Sequence, residues 1–196
     1  MRFGCKISIG FFSILLILSI CLTSPQTALP LIISVSIHEF GHLVMARIRH
    51  INISIFKLDI FGASLSPTTI SYSYKDEIIL CIGGPLFNIL SAISLLPLHG
   101  NTYINTFISY SIALATLNLL PIFGFDGGRI FSALLCLALP IYTAIRISKL
   151  VSFVFVFSLW TFSVYLLLRL GVSLPAFVFS ISIFSKIFIS DEQINV

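Results

Sequence analysis

Residues 28–45 read ALPLIISVSIHEFGHLVM, an apolar run whose ionisable members are His38, Glu39 and His42. Positions four apart on a helix lie about 40° from each other around its axis, so both imidazoles can reach one metal ion from one face. Glu39 sits between them, close enough to handle a proton on metal-bound water. An ionisable group at mid-bilayer costs roughly 2.5–3.5 kcal/mol or more, and such groups mark functional positions. The stretch therefore reads as a transmembrane helix carrying half of a divalent-metal site.

The rest of the chain supports the membrane reading. Of its 196 residues, 58% are hydrophobic and only 9% charged, where a soluble domain carries about 25% charged residues. Mean hydropathy is +1.11. The net charge of +4 then concerns topology and lipid headgroups, and no nucleic-acid partner is expected. Cys5, Cys21, Cys81 and Cys136 lie far apart. They form no C-x-x-C pair and read as packed or lipid-facing thiols.

Apolar runs divide the chain into about six spans, each near the ~20 residues a helix needs to cross the hydrocarbon core. They cover roughly Ile7 to Leu22, Ala28 to Ala46, Ile78 to Leu98, Ile104 to Phe123, Leu150 to Leu168 and Val172 to Ile189, with a shorter apolar piece from Ile130 to Leu139. No small-x-small cleavage site follows the first run cleanly, so it is expected to be a retained anchor. With the N-terminus in the cytoplasm, six alternating spans put ten of the eleven Lys and Arg residues on or near the cytoplasmic side and leave Arg169 outside. That bias follows the positive-inside rule. It predicts a multi-pass protein of the cell membrane with both termini cytoplasmic, and places His38 and His42 near the cytoplasmic end of the second span.

A tetrahedral catalytic zinc takes three protein ligands and keeps one position open. The acidic residues are Glu39, Asp59, Asp76, Glu77, Asp126, Asp191 and Glu192. Asp126 alone follows directly on an apolar span at the depth of the histidines, and is the expected third ligand. His50 and His99 sit at interfaces and read as surface histidines.

At this point the chain resembles the site-2 protease family of intramembrane metalloproteases. The resemblance rests on His38-Glu39-Phe40-Gly41-His42, on Asn118-Leu119-Leu120-Pro121-Ile122-Phe123-Gly124-Phe125-Asp126-Gly127-Gly128-Arg129, and on Gly83 to Asn88 between them. It covers about Leu31 to Arg129, with Gly124 standing where many members have proline. It implies zinc (Zn2+) held by His38, His42 and Asp126, and Glu39 as catalytic general base. It also implies that Asn118, Pro121 and Asn88 contact substrate. The expected fold is an all-α membrane protein of about six transmembrane helices with a small membrane-associated β segment after the second. The whole chain, 1–196, is expected to be one domain with its core at 28–129 and no PDZ or CBS domain. The branch it looks most like is that of stage IV sporulation protein FB, which implies cleavage of a membrane-tethered sigma-factor precursor under regulatory membrane proteins. An anti-sigma factor or other membrane regulator is the alternative substrate.

Between His50 and Tyr74, Ile51 to Ile60 alternates with period two, breaks at Gly62-Ala63, and alternates again over Thr68 to Tyr74. Short strands are expected, offering an edge to extended substrate. The chemistry implied is hydrolysis of a peptide bond in or near a transmembrane segment: Glu39 takes a proton from water and returns it to the leaving amine. Two rivals are weighed against this. A heat-shock-type membrane protease takes a glutamate from a later helix as third ligand, and no glutamate lies in or beside a span after Glu77. A metal transporter or other non-catalytic metal-binding protein would carry further intramembrane ligands, or lack Glu39.

Overall fold

The structure, a computed structural model, describes residues 6–9, 25–51, 53–59, 62–67 and 73–170. It divides into two compact units, one running to Leu119 and one from Leu120.

Among the described residues, the first unit has three helices: α1 (Pro25–Ile48), α2 (Tyr74–Leu95, continued by a 3-10 turn Leu96–Leu98) and α3 (Thr102–Asn118). Their burial pattern reverses that of a water-soluble bundle. Along α1, Pro30, Ser34, His38, His42 and Ala46 form one buried stripe at intervals of four, while Leu29, Ile32, Ile33, Phe40 and Leu43 are exposed. Small and polar residues turn inward and large apolar ones outward, as expected where lipid is the solvent. The Ser34 and Ser111 hydroxyls meet at 3.1 Å between α1 and α3. Elsewhere Ser36, Ser94 and Thr116 bond their own helix carbonyls four residues back.

Helices α1 and α2 touch through glycine. A methyl group on Gly41 would lie 2.4 Å from the Gly83 carbonyl oxygen, and one on Gly83 would lie 2.6 Å from the Gly41 oxygen. The pair is antiparallel, since Ala46 packs with Leu80 and His38 meets Asn88. Its ends are fixed by local chemistry. Ser73 caps α2, its hydroxyl accepting from the Lys75 N–H while Asp76 closes the capping box. Asp76 also accepts a 2.7 Å bond from Arg49 Nε just beyond α1, so one carboxylate ties the start of α2 to the end of α1.

Three strands, β1 (Lys6–Ile9), β2 (Ile53–Asp59) and β3 (Gly62–Pro67), form a sheet in that order. β1 runs parallel to β2, and β2 antiparallel to β3 with an irregularity between Ile53 and Ile55. Gly62-Ala63, expected as a break, opens β3 instead. The strand expected over Thr68 to Tyr74 falls largely outside the described residues, and Ser73-Tyr74 serve as cap and first residue of α2.

The second unit contains α4 (Asp126–Ala138) and α5 (Ile141–Leu170). Residues 120–125 lead into α4 as a turn held by α5. The Phe123 N–H donates to Ser152 Oγ at 2.9 Å, and that hydroxyl donates to the Pro121 carbonyl at 3.2 Å. Ser132 and Ser148 bond α4 to α5.

Among the described residues, three helices are long and apolar enough to cross a membrane: Thr27–Ile48, Tyr74–Leu98 and Ile141–Tyr165. This departs from the six expected spans in identifiable ways. The span expected to reach Phe123 ends at Asn118 and has 17 residues, because Pro121 lacks an N–H and disfavours helix in the residue before it. The fifth span begins earlier than expected, just after Pro140. Ile7 to Ile9, expected to open a first helix, lie in β1. The remainder of that span and the expected sixth span lie outside the described residues.

Candidate metal centre

The fourfold spacing on α1 does bring the two imidazoles together. His38 Nε2 and His42 Nε2 stand 3.3 Å apart, with both residues only 4% exposed. Two nitrogens bound to one tetrahedral zinc at about 2.0–2.1 Å would stand about 3.3–3.4 Å apart. The histidine pair therefore already has the separation a zinc ion requires.

The opposite ring nitrogens are held from α2. His42 Nδ1 lies 2.9 Å from the Leu80 carbonyl oxygen. A carbonyl can only accept, so Nδ1 carries the proton and the Nε2 lone pair faces His38. His38 Nδ1 lies 3.3 Å from Asn88 Nδ2, and Asn88 is fully buried. Gly84 lies directly against the paired nitrogens: a methyl group there would sit 2.5 Å from His42 Nε2 and 2.7 Å from His38 Nε2. The glycine thus leaves a cradle at the point where the two Nε2 atoms converge. Donor type, spacing, burial and cradle together fit a zinc ion.

Glu39 is buried on the same helix, at 8% exposure. Asn118 ends α3, its side-chain amide donating to the Leu114 carbonyl at 3.1 Å. In the second unit Asp126 is buried in the first turn of α4, where a carboxylate is favoured by the helix dipole. Pro121 lies in the preceding turn, its carbonyl on Ser152. Gly124 adopts φ 99°, which proline, fixed near −65°, cannot. The departure at this position is thus matched by the conformation of the turn. Gly128 lets α4 start against that turn, since a methyl group there would lie 2.1 Å from the Ile122 oxygen. His50 and His99 are exposed.

Sequence reasoning missed the Leu80 carbonyl and Ser152. A backbone acceptor has no signature in residue types, and Ser152 is one of many serines in the spans.

No protein-family model matches the sequence. No curated protein matches it either. Among solved structures, the fold is similar to that of the site-2 protease from Methanocaldococcus jannaschii, at 20% identity and a TM-score of 0.68, over 95% of this chain and 91% of that one. The likeness establishes a shared fold.

Proposed function

We propose that this chain is an intramembrane zinc metalloprotease. The observation that carries the reading is the His38–His42 pair, whose Nε2 atoms are set 3.3 Å apart on a helix apolar enough to span a bilayer. Similarity of fold to a site-2 protease agrees with it.

In this reading His38 and His42 hold the zinc with Asp126 as third ligand. Asp126 is supported by its place after an apolar segment, by its burial, and by the Asn-x-x-Pro and Asp-Gly pattern around it. Bound zinc supplies Lewis acidity toward water and a carbonyl oxygen. Glu39, one residue from His38, takes the proton of the attacking water and returns it to the leaving amine. Asn118 and Pro121 line the substrate path, and Asn88 reaches the centre from α2. The outer edge of β3 offers backbone groups to an extended substrate segment, which a transmembrane helix must become before its peptide bond is accessible.

The basic residues Arg47, Arg49 and Lys75 share one end of the α1–α2 pair, and by the positive-inside rule that end is cytoplasmic. His42 lies five residues before Arg47, roughly 8 Å along the axis, so the centre opens toward the cytoplasm. The substrate is a membrane-tethered protein, with a sigma-factor precursor as the candidate and an anti-sigma factor as the alternative.

Co-expression with a tethered, tagged sigma-factor precursor tests the reading. Wild type is expected to cleave. Glu39→Gln is expected to retain zinc, measured by mass spectrometry of the purified protein, and to lose cleavage by roughly 100-fold or more. Equal cleavage by the two proteins removes Glu39 as base. Absence of zinc from both, after loading, removes the metal centre.

A further inference from the structure

The two histidines are held by different kinds of partner. His42 faces a backbone carbonyl, whose direction as a hydrogen-bond partner is fixed. His38 faces a side-chain amide, which can present either an acceptor or a donor. With Nδ2 turned toward His38 Nδ1, as at 3.3 Å here, the ring proton belongs on Nε2, where it would block a metal. The other end of the amide, Asn88 Oδ1, is buried and makes no hydrogen bond. A half-turn of the amide therefore breaks no bond of the oxygen, and it places Oδ1 against His38 Nδ1.

We infer that Asn88 is a positioning residue that sets the tautomer of His38: in the metal-loaded protein its Oδ1 accepts the His38 Nδ1 proton, which puts the lone pair on Nε2. This rests on the metal centre proposed above. The two Nδ1 acceptors both come from α2, Leu80 through its backbone and Asn88 through its side chain, eight positions apart. One helix therefore orients both ligands of its neighbour, and Gly84, midway between them, gives the ion room. Asn88 faces the ring from behind, on the side away from the metal.

The test is zinc affinity of the full-length protein in detergent, measured by competition with a chromogenic chelator, for wild type, Asn88→Asp and Asn88→Leu. Ionised aspartate of the same shape can only accept, so Asn88→Asp is expected to bind zinc as tightly as wild type or more tightly. Asn88→Leu keeps the branched shape but removes the acceptor, and is expected to lose about 10–100-fold. If Asn88→Leu does not purify as folded protein, Asn88→Ala is the comparison, with the same expected loss. Nitrogen-15 spectra of histidine-labelled Asn88→Asp, loaded with zinc, are expected to place the His38 ring proton on Nδ1. A tenfold or larger loss in Asn88→Asp would mean that Asn88 acts as donor and overturns the inference. Wild-type affinity in the leucine or alanine variant overturns it too, and leaves the metal centre standing. Absence of zinc binding in wild type overturns the metal centre itself.

Discussion

Gly84 separates what the sequence can say about a residue from what packing says. As part of Gly83-Gly84 it reads as a device for close helix approach, and Gly83 does serve that purpose against Gly41. Gly84 also faces His38 and His42 directly. Gly84→Ala is therefore expected to push its methyl group into the converging nitrogens, overpacking the centre by about 1–3 kcal/mol. Chelator competition would read this as roughly 10–100-fold weaker zinc binding, with helix content by circular dichroism unchanged. Retention of wild-type affinity would mean the two helices separate easily, against the backbone contact at Gly41 and Gly83. The histidine pair was legible because metal ligation needs two particular side chains on one face, a condition that spacing alone satisfies. The Leu80 carbonyl was not, because any residue at position 80 would carry it.

Helix α3 and the turn after it show where element boundaries escape hydropathy. Apolar character continues through Leu119, Leu120, Ile122 and Phe123, yet the helix stops at Asn118. Hydropathy reports partition into lipid, whereas termination is a backbone matter governed by Pro121. The turn that results is held by two bonds to Ser152 and by a positive φ at Gly124. Ser152→Ala removes both bonds and is expected to destabilise the protein by roughly 1–2 kcal/mol. Gly124→Ala forces a side chain into left-handed backbone and is expected to cost about 1–2 kcal/mol. Unfolding in sodium dodecyl sulfate, followed by circular dichroism, measures both; unchanged midpoints would show that the turn is not needed to hold α4 against α5. The strands follow the same lesson. Alternation located β2, but Gly62-Ala63, typical breakers, belong to β3 because pairing with Leu58 and Asp59 supplies what their propensity lacks.

At the scale of the molecule, composition alone points to a membrane protein, because a surface facing water on all sides carries more charge than 9% of residues supply. The distribution of lysine and arginine predicts an orientation that hydropathy alone does not. On the proposed orientation, which puts the basic end of α1 and α2 in the cytoplasm, a cysteine placed at His99 in a background lacking the native cysteines is expected to react with an impermeant maleimide in intact cells. One at His50 is expected to react only after permeabilisation. The reverse pattern would invert the protein and turn the metal centre outward. The glycine contact between α1 and α2 has a thermal corollary. Lipid, unlike water, gains nothing from driving apolar surfaces together, so these helices are joined by close backbone packing and by the bonds of His42, His38 and Arg49 to α2. Separating them within a bilayer exposes little apolar surface to water, and it is that exposure which makes the heat capacity of unfolding large. The pair should therefore lose its hold nearly in proportion to warming, without the domed stability curve, or the weakening on cooling, that a water-driven core imposes.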